Sequence, residues 1–61
     1  MPMIRVEMYA GRTLDQKRAI ARALTEAMCA TADCAPQSVQ VILTDVAKTD
    51  WASAGVLAVD K

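Results

Sequence analysis

The second residue, Pro2, is the one whose type and place could do unusual chemistry. Once Met1 is removed, as a small second residue favours, the Pro2 nitrogen becomes a secondary amine on a rigid ring. Such an amine accepts protons with an affinity set by its surroundings. The chain has no His, so acid–base work near neutral pH cannot fall to the usual side chain. Apolar walls and a nearby guanidinium both disfavour the charged amine. They draw its pKa down from the α-amino range of about 7.7–8.0, or from the higher value of a secondary amine, toward working pH. The plainer alternative is that Pro2 only starts a strand or promotes loss of Met1.

Arg12 follows Gly11 just before a helix start, where a guanidinium and free backbone N–H groups suit a carboxylate. A solvated turn arginine is the competing account. Arg5 reads as an interfacial ion-pair partner. Trp51, the only tryptophan, either walls a pocket or packs at a subunit contact. Asp50 beside it is a carboxylate that could activate water if the indole keeps it dry, or an ordinary surface acid. Cys29 and Cys34 could close only a very small loop and read as reduced, small side chains in a reducing compartment. Two thiols without His fall short of a zinc set, so no metal is expected. No Gly-rich phosphate loop, nucleophile elbow or Cys–His pairing is present, and no organic cofactor is expected.

These residues must be positioned by a few short elements. Ile4, Val6 and Met8 alternate with Arg5, Glu7 and Tyr9, the period of a half-buried strand over Met3 to Tyr9. Thr13 and Gln16 form a capping-box pattern, and Asp15 suits the positive end of a helix that runs to about Ala32. Ile20, Leu24, Ala27, Met28 and Thr31 are expected on its packed face. Pro36 ends the run by biasing its neighbour away from helical angles. Val39 to Val46 reads as a second strand, with an apolar centre suited to cover on both faces. Strand, helix and strand make a βαβ unit with parallel strands and a right-handed crossover. Ala47 to Ala54 is expected as a loop, and Gly55 precedes a short strand or hairpin. The fold class is α+β, with 1–61 as a single domain.

Size and composition add a second constraint. A chain of 61 residues buries only about 60% of the surface it exposes when unfolded. Yet 54% of its residues are hydrophobic, more than so small a unit can hide. Two strands and one helix do not stand alone. Two copies paired edge to edge would form four strands with two helices on one face, and the bare face would call for further copies. Seven basic residues balance seven acidic ones with no basic stripe, which argues against nucleic acid as a partner. No stretch has the length of a membrane span and no signal peptide is recognisable, so no membrane partner and a cytoplasmic location are expected.

Taken together, these features resemble the 4-oxalocrotonate tautomerase family over nearly the whole chain. The resemblance rests on Met1-Pro2 with its immediate strand, Gly11-Arg12-Thr13 and Asp15-Gln16-Lys17 at the helix start, and Ala35-Pro36 before Ser38-Val39. It also rests on Val41-Ile42-Leu43-Thr44-Asp45-Val46-Ala47-Lys48 running into Trp51. The resemblance implies that Pro2 is the catalytic base and Arg12 the catalytic residue that binds a substrate carboxylate. Trp51 would be the pocket aromatic, with Tyr9 and Ser38 lining the pocket. It further implies a homohexamer, a trimer of dimers with sites shared between subunits. Gln40 stands where well-studied members carry a second arginine. It can donate to an oxyanion but brings no charge, which implies weak activity on dicarboxylates. The expected activity is isomerisation of a small unsaturated keto or enol acid. A hydratase, dehalogenase or decarboxylase with a protonated Pro2, and a non-catalytic oligomeric module, stand as alternatives.

Overall fold

The computed structural model describes residues 2–61; the expected processing of Met1 falls on a residue outside that range. Strand β1 covers Met3–Tyr9, helix α1 Leu14–Ala32, strand β2 Gln40–Val46, strand β3 Ala52–Ser53 and strand β4 Val56–Leu57. Three single 3-10 turns, Pro36–Ser38, Lys48–Asp50 and Ala58–Asp60, punctuate the second half. β1 and β2 pair in parallel, from Met3 opposite Gln40 to Tyr9 opposite Val46. β3 and β4 form an antiparallel hairpin.

Each element has a local cause. In β1 the half-buried positions Ile4, Val6 and Met8 alternate with exposed Met3, Arg5 and Glu7, as the period-two pattern predicts. The capping box is complete: Gln16 N donates to Thr13 Oγ1 at 3.1 Å, and Thr13 N donates to Gln16 Oε1 at 2.9 Å. Asp33 closes the helix in the left-handed conformation, φ 54° and ψ 54°, a place where Asp is tolerated better than most side chains. Pro36 then opens a 3-10 turn, where its missing N–H costs nothing. Lys17 on α1 pairs with Asp45 on β2. Asp45 has the same parity as Val41 and Leu43 and lies opposite Met8, so the face bearing Ile4, Val6, Met8, Val41 and Leu43 is the one that carries the helix.

Four expectations need correction. The packed stripe of α1 is Lys17, Ile20, Ala21, Leu24, Thr25, Met28 and Cys29, whereas Ala27 and Thr31 are exposed. Small residues have too little hydropathy contrast to fix the stripe within one position. β2 starts at Gln40, because Val39 N is still bonded to Pro36 O as the 3-10 turn closes. Only one face of β2 is covered by the chain itself; Ile42 on the other is 43% exposed. The segment from Ala47 to Ala54 is not a plain loop, since it contains a 3-10 turn and β3.

The hairpin turns through Ala54 (φ 53°) and Gly55 (φ 79°), the paired positive angles of a type I′ connection. Ala54 occupies the left-handed region without a side chain that favours it, at a cost of about 1–2 kcal/mol. Beyond the turn, Val56, Leu57 and Val59 are exposed.

No described residue is fully buried. The Cα radius of gyration is 14.4 Å, against about 10–11 Å for a compact chain of this length. The isolated chain is a thin body of 42 × 25 × 14 Å that leaves large apolar side chains exposed. Among the described residues, no helix is long and apolar enough to cross a membrane. Cys29 and Cys34 are free and half-buried. Partial burial pushes the Cys29 thiol pKa up, and hydrogen bonding and charge from Cys34 act in the same direction.

Candidate active site

The two parallel strands start together and end together, and the candidate residues divide between those ends. At the head, Pro2 is half-buried and its carbonyl accepts Gln40 N at 3.0 Å, extending the ladder one step beyond Met3. This bond fixes the proline beside the start of β2. Ser38 closes the preceding 3-10 turn: its N and its Oγ both donate to Ala35 O, at 3.0 and 2.8 Å. The hydroxyl proton is therefore committed to the backbone, and its lone pairs remain for a donor. Gln40 is exposed and neutral. The head thus brings together Pro2, Ser38 and Gln40.

At the tail, Ala10 N donates to Val46 O at 3.0 Å and ends the ladder. Gly11 then takes φ 122°, which an L side chain rarely adopts, and turns the chain toward the helix cap. Arg12 folds back so that Nη1 donates to Tyr9 O at 3.1 Å. The Tyr9 ring meets Trp51 edge to face, with centroids 4.7 Å apart and planes at 62°. Trp51 is held by the hairpin, because its carbonyl accepts Ala58 N at 2.7 Å. The tail brings together Tyr9, Arg12 and Trp51.

Six residue steps of about 3.3 Å separate Met3 from Tyr9, so the two groups lie about 20 Å apart within one chain. No small acid touches Pro2 and Arg12 of the same copy.

Two residues at the tail escaped sequence reasoning. Lys48 Nζ sits 5.6 Å from the centroid of the Tyr9 ring. Glu7 lines a hollow of about 200 Å³ with Val46, Asp50, Trp51 and Ala52. The only signal for Lys48 was its place three residues before the tryptophan, and for Glu7 its outward parity with Tyr9. Asp50 therefore does border the indole, beside a second carboxylate. Arg5 has no ion pair among the described residues, nor do Arg12 and Lys48, while Lys17 and Arg18 pair with Asp45 and Asp15. A larger groove of about 530 Å³ runs along α1 between Ala21, Arg22, Thr25, Glu26, Cys29 and Pro36. It contains none of the candidate residues. No cluster of metal-ligating side chains occurs among the described residues.

Known proteins resemble this chain in sequence and in fold. Residues 2–61 match the family model described as tautomerase enzyme. A probable tautomerase of Ralstonia nicotianae is 41% identical over 56 residues, which span 92% of this chain and 80% of that protein. An apo structure of an unfused 4-OT superposes with a TM-score of 0.95 at 36% identity, covering 100% of both chains. A heterohexameric 4-oxalocrotonate tautomerase from Chloroflexus aurantiacus gives a TM-score of 0.93 at 33% identity, covering 98% of this chain and 97% of that one.

Proposed function

The chain belongs to the tautomerase family, and on that premise we propose that it moves a proton within a 2-hydroxy or 2-oxo unsaturated carboxylic acid, with Pro2 as the base. Membership makes it an isomerase-type enzyme; the role of Pro2 and the class of acid are the proposal. The observation that carries it is the bond from Gln40 N to Pro2 O, which seats the proline at the head of the two paired strands, next to the start of β2.

In the proposed reaction the free Pro2 nitrogen takes the proton of the enol hydroxyl. The electron pair returns as a carbonyl while the conjugated system gains a proton at carbon from the prolinium, restoring the free amine. Arg12 binds the carboxylate through the N–H groups that its bond to Tyr9 O leaves free. Gln40 donates to the oxygen on which negative charge grows, an interaction realised most fully in the transition state. Being neutral, it serves a second carboxylate poorly, so a monocarboxylate enol is the preferred substrate. Trp51 and Tyr9 exclude water, which favours the uncharged amine, and Ser38 borders the cavity.

Because head and tail are about 20 Å apart in one copy, the complete site takes Pro2, Ser38 and Gln40 from one copy and Tyr9, Arg12 and Trp51 from another. The homologous heterohexamer and the uncovered apolar surface support oligomeric assembly, and a homohexamer is the proposed form. Ultraviolet kinetics with phenylenolpyruvate tests the reading. Pro2→Ala should lower kcat by about 10²–10⁴-fold, the usual worth of a positioned base. An unchanged rate removes the proposal.

A second reading has one observation in its favour: Asp50 and Glu7 share the hollow beside Trp51, where a carboxylate could direct water. A hydratase or dehalogenase of that kind needs a protonated Pro2. Titration of the amine separates the two, with a value near neutrality for the base and one well above it for the acid.

A further inference from the structure

We infer that Lys48 is a second carboxylate-recognising residue of the substrate pocket, acting with Arg12; this deepens the reading above and rests on it. Lys48 opens the 3-10 turn Lys48–Asp50, which is closed by Asp50 N donating to Ala47 O at 2.8 Å. The turn carries the ammonium over Tyr9, 5.6 Å from the ring centroid. The same residue anchors Arg12 through its carbonyl. Tyr9 therefore holds two cations, one by its main chain and one by its ring, and the ring in turn packs on Trp51.

Neither cation is neutralised by a carboxylate among the described residues, although Lys17 and Arg18 both are. Asp50 lies two residues from Lys48 yet borders the hollow on Trp51 instead. A cation–π contact at an exposed site is a weak hold and leaves the three N–H donors of the ammonium available. A flexible four-carbon stem lets the ammonium leave the ring for a carboxylate held by Arg12. The oxygens of a carboxylate offer about four lone-pair sites, enough for both donors. Glu7 and Asp50 repel an anion from the adjoining hollow, so a substrate's negative end is directed to the Tyr9 side. Lys48 thus selects charged over uncharged substrates and does not take part in proton transfer.

The test uses the assembled protein with phenylenolpyruvate and with its methyl ester, each assayed against the parent, Lys48→Met and Lys48→Arg. Lys48→Met should raise KM for the acid about tenfold with little change in kcat, and leave the ester within about twofold. Lys48→Arg should restore most of the acid-to-ester preference. An equal change for acid and ester would mean that Lys48 only packs against Tyr9, and no change for either would place it outside the pocket; both overturn the inference. Pro2→Ala run in parallel separates the two levels. If it keeps full activity, the reading of the site fails. If it is inactive while Lys48→Met leaves the acid-to-ester ratio untouched, only the role of Lys48 fails.

Discussion

At the head of the strand pair Pro2 is held by a main-chain hydrogen bond and its neighbours Ser38 and Gln40 are neutral, whereas at the tail Arg12 and Lys48 bring two cations onto Tyr9. In the proposed reaction the head moves the proton, with only the neutral Ser38 and Gln40 supplied beside Pro2 by its own copy. In the same proposed reaction the tail holds the substrate's anion. On the proposed reading neither end suffices, and about 20 Å of strand keeps them apart in one copy. If recognition and proton transfer lie at opposite ends of the parallel pair, as proposed, assembly becomes a condition of activity rather than only a source of stability. The thin, uncored shape of the single chain points the same way.

The two ends should respond differently to damage, and the largest contrast is kinetic. Pro2→Ala should act on kcat, as stated above. Arg12→Ala should instead lower kcat/KM by about 10–100-fold, carried mostly by KM, because a charge-assisted bond present in ground and transition states is lost. An Arg12 variant whose deficit lies wholly in kcat would erase the division between the ends.

A smaller effect sharpens the contrast from the side of stability. The tail depends on the hairpin that holds Trp51, and that hairpin has Ala54 at φ 53°. Ala54→Asn creates the Asn-Gly pair favoured in a type I′ turn and should stabilise the protein by about 1 kcal/mol. A thermal midpoint a few degrees higher, with kcat unchanged, is the expected outcome. A lower midpoint would mean that the turn is set by contacts other than its own backbone preference.

What could be read from the residues follows the range of the forces involved. The bounds of β1 and the capping box were legible because alternation and side-chain-to-backbone bonding are local. The hairpin was legible only as a break, since Ala54 carries no turn signal of its own and Gly55 alone marks it. The packed stripe of α1 was misplaced by small residues: Ala21, Thr25 and Cys29 are covered where Ala27 and Thr31 were expected. The cover of β2 was overestimated in the single chain, because an apolar run does not say which molecule covers it. Pro2, Arg12 and Trp51 were legible as candidates by residue type, order and resemblance. Their division between two ends was not, because it follows from the parallel register of β1 and β2. Lys48 was hidden for a related reason, as its contact with Tyr9 exists only once the tail has folded.

Mixing two impaired variants, assayed with substrate well below KM, tests the shared site most directly. Pro2→Ala and Arg12→Ala are unfolded together in equal amounts, reassembled, and assayed with phenylenolpyruvate beside each variant reassembled alone. If each site joins the head of one copy to the tail of another, about a quarter of the sites regain both residues, and the mixture should recover about that share of parental activity. A mixture no more active than the average of its two components, with mixed assemblies confirmed by mass, would contradict the account.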